Sequence, residues 1–533
     1  MNTVRPLRIG VLVARKEGFE NWELMIFDQI MADPRFSLIT LIVHPDPFGD
    51  RQASRLFELE SHLERRLLAR QRRYTPRIFD ANRQRFDDLR AFGACGAADI
   101  PVPHKLVSER ELDLVIRMTP ASLPRDAIRN LPFGEWAFNF CDQRSRKADW
   151  FSYRDVISKS AATELLLYAR QDDDARVASI ASPSFNIKFS AARNAAFVKE
   201  RAVTLLIREL GRLADKRELT ATPSRRDDVV KPPSSLDMVR YAGGLSSNFL
   251  ARAIKALRAK MHSGSAIWTL YTGRGRIDDF DPRESVEIPP TKSDIKADPF
   301  LFQHGNECYL FYEAYADGDR KAHIAVGRFR GDTIEPVGVA LSCDHHLSYP
   351  FVFRDGESIF MMPETHQSRR IEIWRCVEFP LKWELYSTAF EGRSAADSVL
   401  TRHEGKWWLF TNLSDFHAYE DHCSELYLFE VDGPELKRII PHKHNPVVIG
   451  STVARNGGRI LERNGRLYRP SQCNAHGIYG YGLNIMEIEE LSLSAYRERC
   501  IRTITPDFKK GLRGCHHFDA AGERYVVDAR LSL

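Results

Sequence analysis

A short pattern of apolar and polar positions occurs five times in the second half of the chain. Each copy has a polar start, an apolar segment of strand length, a glycine turn and a second apolar segment that ends on a polar residue. This pattern predicts pairs of antiparallel strands. The copies begin at Asp298, Tyr349, Asp397, Arg459 and His516. A spacing of roughly 50 to 60 residues is that of a propeller blade, so the pattern predicts a five-bladed β-propeller.

The polar residues at the strand starts should surround one central funnel, because a ring of blades brings the first strand of each blade together. The second strands of the copies also end on polar residues, which predicts a second polar ring. These ends are Glu313, Glu364, Asn412, Gln472 and Asp528.

The first half of the chain has a different pattern. An apolar strand over Leu7 to Val13, a helical stretch over Trp22 to Met31 and a strand over Phe36 to Val43 are typical of a parallel sheet. Residues 214 to 235 combine charged residues with prolines, as linkers do. We therefore predict a multidomain protein. Its parts are an α/β parallel-sheet domain over 1–213, a linker and connecting helix over 214–264, and an all-β five-bladed propeller over 265–533.

Composition narrows the class of protein. A chain of 533 residues can hold two or three domains, and a net charge of +5 does not indicate a nucleic-acid partner. Without a signal peptide or an apolar run near the roughly 20 residues that span a bilayer, we expect a cytoplasmic protein with no membrane span. The nine cysteines lack the spacing of a zinc site, which indicates reduced thiols.

The first half resembles formyltransferases of the methionyl-tRNA and sugar-nucleotide type. The matching segments are Leu7 to Val13, Asp113 to Ile116 and Trp136 to Asp142. In that family the last strand carries an Asn and a His two residues apart, with an Asp further on, and these groups position and polarise the amine and the formyl donor. Here Asn139 takes one of the two positions, and Ala137 or Cys141 takes the other.

The absent histidine predicts that this degenerate formyltransferase site has lost its reaction. Asp142 or Cys141 would have to replace the imidazole as base, and Asp172 to Asp174 are the candidates for the family's Asp. We interpret the domain as a scaffold for packing, for ligand binding or for a homodimer. The cofactor 10-formyltetrahydrofolate is expected only if formyl transfer is retained.

The second half resembles the five-bladed superfamily of arabinanases, levansucrases and invertases, including glycoside hydrolase family 43. It is more closely similar to the region that precedes the transferase domain in plant glucosamine inositolphosphorylceramide glycosyltransferases. Bacterial relatives of that region occur fused behind formyltransferase-like domains. The closer similarity rests on Met361–Glu364, Phe379-Pro380, Trp407–Thr411, Asn445-Pro446, Ala454–Gly458, Gly465–Gln472 and Tyr479–Tyr481.

This resemblance implies catalytic carboxyl groups, because chemistry at an anomeric carbon needs two of them. In the hydrolase propellers an Asp at the first blade's strand start is the base or nucleophile, which implies Asp298. A second Asp tunes the acid, which implies Asp397. Blade four lacks a Glu at its start, so we expect Glu364 to be the acid, with a pKa raised by burial or a nearby carboxylate.

The remaining polar residues of the funnel are candidates for substrate binding. Arg455 and the histidines would give the funnel a cationic character that suits a phosphorylated or nucleotide-linked sugar. The alternative is that Arg455 and one of the histidines tie neighbouring blades together through buried hydrogen bonds. A metal site is not expected, because adjacent strand residues face opposite sides. The candidates for substrate binding are Glu313, Arg455, Asn456, Gln472, His516 and His517.

The function predicted from the sequence is carbohydrate-active, in the biosynthesis of a cell-surface glycan or glycolipid. The propeller would act on a sugar, an oligosaccharide or a sugar nucleotide, by hydrolysis or by glycosyl transfer. One alternative is an N-formyltransferase for an amino sugar, with the propeller as a docking module. The other is a non-catalytic glycan-binding scaffold.

Overall fold

The computed structural model describes ten ranges of the chain: 5–48, 52–69, 77–88, 102–171, 176–225, 230–261, 268–289, 295–315, 321–414 and 419–531. The chain forms two compact units, Met1–Leu250 and Ala251–Leu533. No helix within the described ranges has both the length and the apolar character needed to cross a membrane.

A mixed eight-stranded sheet forms the centre of the first unit, in the order β10-β8-β7-β5-β4-β1-β2-β3. The strands are β1 (Leu7–Val13), β2 (Phe36–Val43), β3 (Phe86–Asp88), β4 (Leu114–Arg117), β5 (Glu135–Phe138), β6 (Ala162–Glu164), β7 (Leu167–Arg170), β8 (Arg176–Ala181), β9 (Ser184–Asn186) and β10 (Thr222–Arg225). Strands β3, β2, β1, β4 and β5 run parallel, whereas β7, β8 and β10 are antiparallel. Strands β6 and β9 form a separate pair. The predicted β-α-β start is confirmed, with β1 and β2 at their predicted bounds.

Helices accompany this sheet, and the first of them packs against β2 and against the long helix Ala191–Lys216. The first helix begins at a capping box in which Glu20 and Glu23 bond each other's backbone N–H groups. The longest helix of the sheet domain begins after Ser190, whose hydroxyl accepts the Arg193 N–H. The helices are α1 (Asn21–Ala32), α2 (Arg55–Leu68), α3 (Val102–Glu109), α4 (Arg125–Ile128), α5 (Tyr153–Ile157), α6 (Ala191–Lys216) and α7 (Ser235–Met261).

The second unit is a five-bladed β-propeller, as predicted. Its strands are β11 (Trp268–Arg274), β12 (Val286–Ile288), β13 (Ile295–His304), β14 (Glu307–Tyr315), β15 (His323–Arg330), β16 (Thr333–Leu341), β17 (Ser348–Asp355), β18 (Ser358–Glu364), β19 (Ile371–Glu378), β20 (Lys382–Ala389), β21 (Ala395–His403), β22 (Lys406–Leu413), β23 (Glu425–Val431), β24 (Ile439–Pro441), β25 (Val448–Ile449), β26 (Leu461–Arg463), β27 (Arg466–Ala475), β28 (Ile478–Leu491), β29 (Tyr496–Ile504), β30 (Leu512–Gly514), β31 (Phe518–Ala521) and β32 (Arg524–Leu531).

The ring closes because the fifth blade takes strands from both ends of the unit. Blades one to four are β13–β16, β17–β20, β21–β25 and β26–β29, whereas blade five joins β30, β31 and β32 to β11 and β12. Strand β11 pairs antiparallel with β32, from Trp268 opposite Arg530 to Arg274 opposite Arg524. The repeats did not reveal β11 and β12, since both precede the first copy of the pattern. Closure of this kind pairs the edges that an open sheet would expose.

The innermost strands of the first three blades share an irregular start. Asp298, Tyr349 and Asp397 have φ angles of 49°, 48° and 46°, in the left-handed region. Each lies at a β-bulge, where the register with the second strand shifts. A bulge redirects side chains, and a strained φ is tolerated where the surroundings fix it. The bulges therefore turn the residues at these strand starts away from the regular alternation, toward the channel of the propeller.

Candidate functional site

Polar side chains from all five blades meet at the end of the channel where the innermost strands begin. The Asp298 carboxylate of blade one is the centre of this group, and its side chain is 10% exposed. Its Oδ2 accepts the Tyr349 N–H at 3.3 Å, and its Oδ1 lies 3.6 Å from His517 Nδ1 and 3.8 Å from His516 Nε2. Burial alone would raise the pKa of Asp298, but the His517 hydrogen bond and the charges of both histidines lower it below its ordinary value. Asp298 is therefore held as an anion.

Asp528 holds the backbone of His516 and His517 in place. Its Oδ1 accepts the backbone N–H groups of His516 and His517 at 3.0 and 2.9 Å. Its Oδ2 lies 2.6 Å from His516 Nδ1 and accepts the Asp298 N–H at 3.2 Å. Burial opposes protonation of His516, but Asp528 raises the pKa of that imidazole above its ordinary value.

The same contacts decide how well this cluster fits a metal ion. Ligand atoms of Asp298, His516 and Asp528 lie within 4.8 Å of one another, as a metal site requires. Asp528 already accepts three backbone hydrogen bonds, its Oδ2 lies 2.6 Å from His516 Nδ1, and the group is fully buried. A cation would have to displace those hydrogen bonds, so we assign the cluster a positioning role.

Arg455 of blade four joins blades two and three. Its Nε and Nη2 donate to the two oxygens of Asp397 at 2.6 and 3.2 Å, and Nη2 also donates to Glu364 at 3.3 Å. Gln472 Nε2 adds a hydrogen bond of 3.1 Å to Asp397. Burial raises the pKa of Asp397, Arg455 opposes that rise, and the Glu364 and Asp298 carboxylates reinforce it. The fork of Arg455 is thus occupied by protein carboxyl groups.

Glu313 and Glu364 have opposite electrostatic environments. Burial, the Asp298 and Glu364 charges and a hydrogen bond with Asp298 raise the pKa of Glu313 well above its ordinary value. Burial also acts to raise the pKa of Glu364, but hydrogen bonding to His366 and the charge of Arg455 lower it well below its ordinary value. The raised pKa that a general acid needs is therefore found at Glu313, and the environment of Glu364 favours the anion.

Asn456 and His517 lie beneath the surface, and both are 0% exposed. Asn456 N–H donates to Asn412 Oδ1 at 3.0 Å, and its Nδ2 donates to the Asp397 carbonyl at 2.8 Å. Its Oδ1 accepts from Arg469 at 3.2 Å. These bonds tie blades three and four together. The sequence had raised such a structural role for Arg455 and one of the histidines.

Several side chains at the site were not among the sequence candidates. Trp268 of β11 stacks on His516 with ring centres 4.1 Å apart, and Tyr479 meets the same imidazole edge-on at 5.3 Å. His346 Nε2 lies 3.4 Å from Glu313, and His366 Nδ1 lies 2.8 Å from Glu364. The only sequence signal was their position beside a strand start or a strand end.

The predicted formyltransferase residues lie directly after β5, in a short 3₁₀ helix over Asn139–Asp142. Asp142 accepts from Arg117 at 2.9 Å and from the Tyr168 hydroxyl at 2.7 Å. Cys141 is 0% exposed, and burial raises the pKa of its thiol to about 11. Asn139 donates to the Glu164 carbonyl at 3.1 Å.

Asp142 is thus bound in an ion-pair network, and Cys141 is a buried thiol. Neither environment suits a base that must take a proton from an amine. Loss of formyl transfer stays a prediction, and the acidic triplet over 172–174 lies outside the described residues.

The protein thus contains a five-bladed propeller with several buried carboxyl groups at one end of its central channel. Residues 284–524 match the family described as glucosamine inositolphosphorylceramide transferase 1, N-terminal. The rice (Oryza sativa subsp. japonica) protein glucosamine inositolphosphorylceramide transferase 1 is 31% identical over 358 residues, covering 65% of this chain and 45% of the rice protein. The Arabidopsis thaliana protein of the same name is 35% identical over 238 residues, covering 43% of this chain and 30% of its own length. The chain thus spans less than half the length of these curated relatives.

Solved structures of glycoside hydrolases are also similar to the chain. A GH43 β-1,3-galactosidase with galactodeoxynojirimycin is 10% identical, with a TM-score of 0.32, over 42% of this chain and 81% of that one. A Bombyx mori GH32 β-fructofuranosidase is 11% identical, with a TM-score of 0.33, over 40% of this chain and 52% of that one.

Proposed function

We propose that the funnel binds a carbohydrate with a free amino group and that Asp298 acts there as a general base. The observation that carries the proposal is the excess of carboxyl groups. Asp298, Glu313, Glu364 and Asp397 come from three blades and lie close enough to shift one another's pKa, and Arg455 donates to two of them, Asp397 and Glu364.

The charge balance favours a cationic sugar over an anionic one. Arg455 already donates to Asp397 and Glu364, so its fork offers little to a phosphate. The raised pKa values of Glu313 and Asp397 have burial as their first cause and neighbouring carboxylates as an added one. An ammonium group would stabilise the ionised carboxyls. A cationic sugar therefore takes the place of the phosphorylated sugar that the sequence had suggested, and it agrees with glucosamine in the relatives' names.

Two aromatic rings beside the carboxyl groups support a sugar as the ligand. Trp268 and Tyr479 both contact His516, and Tyr479 is 41% exposed. An aromatic ring with a polar edge suits the amphipathic face of a sugar. His516 can donate its Nε2–H to a hydroxyl of that sugar, because its Nδ1 is engaged by Asp528.

Asp298 is the group best placed for a chemical step. It is an anion close to the channel, and it could take the proton of a hydroxyl group that attacks an anomeric carbon. The bond from that carbon to its leaving group breaks in the same step, and the leaving group takes a proton from water or departs as a phosphate anion. Water as the nucleophile would give hydrolysis, and a sugar hydroxyl would give transfer. The raised pKa of Glu313 favours its protonated form, and its hydrogen bond with Asp298 directs that proton to the neighbouring carboxyl group instead of to a leaving group.

That hydrogen bond favours a second candidate function, a glycan-binding module without catalysis. In this case Asp298 and Glu313 would share a proton and accept from ligand hydroxyls, with no bond made or broken. The two candidates bind the same ligand and differ in the effect of Asp298→Asn on product formation.

Binding is tested by titration calorimetry with chitosan tetrasaccharide and chitin tetrasaccharide, which differ in the acetylation of their amino groups. One charge-assisted hydrogen bond is worth about 1.5 to 3 kcal/mol, so the free amine should bind roughly tenfold or more tightly. The variant Glu364→Gln should reduce that preference, whereas the exposed control Glu335→Gln should not. Equal affinity for both sugars would contradict the amino-sugar proposal.

A further inference from the structure

The opposite end of the propeller channel has its own cavity. The innermost strands run from the carboxyl-rich funnel toward their glycine turns, and five residues of strand, as from Asp298 to Gln303, span about 15 Å. At that distance a cavity of about 350 Å³ is lined by residues of all five blades. The side chains that decide its chemistry are Phe302, Phe353, Arg354, Arg402, Trp407 and Arg459. We refer to this cavity as the far mouth.

Three arginines line the far mouth, and one of them is structural. Arg459 donates to Asp519 at 3.0 Å and to the Val352 and Leu301 carbonyls at 2.9 and 3.1 Å. These bonds connect blades one, two, four and five at the base of the channel. The Arg459 guanidinium is thus held in place. Its ion pair with Asp519 neutralises much of the positive charge that it would otherwise add to the wall of the cavity.

Arg354 and Arg402 are exposed, and within the described ranges neither guanidinium forms an ion pair with a carboxylate. The described contact of Arg354 is with an aromatic ring, since its guanidinium lies 5.7 Å from the centre of Phe302. Asp355, the last residue of β17, follows Arg354, and Glu404 lies in the hairpin turn after Arg402. The far mouth therefore presents two open guanidinium forks beside the Phe353 and Trp407 rings, whose centres are 6.2 Å apart.

We propose that the far mouth binds a phosphoryl group through Arg354 and Arg402. A guanidinium matches the geometry of a phosphate with two parallel N–H donors, and two such forks on neighbouring blades can hold one phosphoryl group from two sides. The aromatic rings would pack against the group that the phosphate substitutes. This site lies at the other end of the channel from the funnel and does not depend on the function proposed there.

The test is calorimetric titration of the full-length protein with pyrophosphate at fixed ionic strength. We expect one site, with affinity about tenfold lower in Arg354→Gln and in Arg402→Gln. Arg402→Lys should also bind several-fold more weakly, because lysine keeps the charge but loses the fork. The control Arg330→Gln removes an exposed arginine that is paired with Glu307 and should change the affinity less than twofold. Both targeted arginines are on the surface, and a thermal melt confirms that the variants fold.

Sedimentation with vesicles identifies the source of the phosphoryl group. Vesicles of phosphatidylcholine with phosphatidic acid are compared with pure phosphatidylcholine. Binding to pyrophosphate alone supports a free phosphorylated ligand, and arginine-dependent binding to the phosphatidic acid vesicles supports a lipid headgroup. Absence of both kinds of binding would overturn the proposal, as would equal losses in Arg330→Gln, or wild-type affinity in Arg402→Lys.

Discussion

Replacement of Arg455 by methionine should destabilise the propeller more than the loss of any exposed arginine. The side chain is 11% exposed and donates at 2.6, 3.2 and 3.3 Å to two carboxyl groups. Methionine fills much of the volume but leaves Asp397 and Glu364 buried without their cation. Removal of one partner from a buried ion pair costs about 3 to 5 kcal/mol. Arg375→Met is a matched control, because its pair with Glu384 is exposed and exposed pairs contribute about 0.2 to 1 kcal/mol.

Asp397→Asn in the same chain should restore part of the lost stability, because it replaces a buried carboxyl group that has lost its cation with a neutral amide. We expect a coupling free energy of about 2 kcal/mol or more between the two sites, as for other contacting residues. Hydrogen exchange of peptides from β21 and β27, followed in increasing urea, measures the unfolding of the propeller separately from that of the first unit. Additive effects of the two substitutions, or a loss in Arg455→Met no larger than in Arg375→Met, would refute this account of the funnel.

Three further outcomes follow from the pKa directions. Glu313→Gln should stabilise the propeller near pH 7. The raised pKa of Glu313 means that burial disfavours the anion, and the neutral amide removes that cost. Lower stability of the variant in a urea titration would contradict this. Protonation of His516 should stabilise the propeller fully at pH values below 6.5, the ordinary pKa of histidine. This stabilisation is lost as the pH rises through the higher pKa of His516 in the folded protein. Melting curves at pH 6 and pH 9 should therefore differ less in Asp528→Asn than in the wild type. Cys141, with its pKa raised to about 11, should resist iodoacetamide at pH 8 while exposed Cys500 reacts, as read by peptide mass spectrometry.

The propeller could be predicted from the sequence because its strands carry a repeated local signal. The apolar segments, the glycine turns and the polar strand ends recur in each blade, so blade number followed from counting. Strands β11 and β12 could not be assigned to blade five in this way, because their pairing with β32 joins residues more than 240 positions apart. Such pairing depends on closure of the ring, which no local pattern encodes.

The site was predictable as a set of polar positions but not as a set of pairs. The positions of Glu364 at a strand end and of Arg455 before a strand indicate that both can reach the channel. A distance of 3.3 Å between residues 91 positions apart nevertheless depends on the angle between blades. Hydrogen bonding to His366 and this contact with Arg455 lower the pKa of Glu364. The role of general acid that the sequence analysis gave to Glu364 needs a raised pKa. The stacking of Trp268 on His516 likewise depends on ring closure, which the position of Trp268 at a strand start does not reveal.

The central claim is that Asp298 performs a chemical step on a sugar. The most direct measurement is a mass-spectrometric screen for products from amino-sugar glycans and activated sugars, with wild type, Asp298→Asn and the exposed control Asp332→Asn in parallel. General base catalysis contributes about 10²- to 10⁴-fold. We therefore predict a product whose rate of formation falls at least 100-fold in Asp298→Asn and is unchanged in Asp332→Asn. Equal product from all three proteins, or no product from wild type with intact binding of chitosan tetrasaccharide, would contradict the claim, and the second result would leave a binding module.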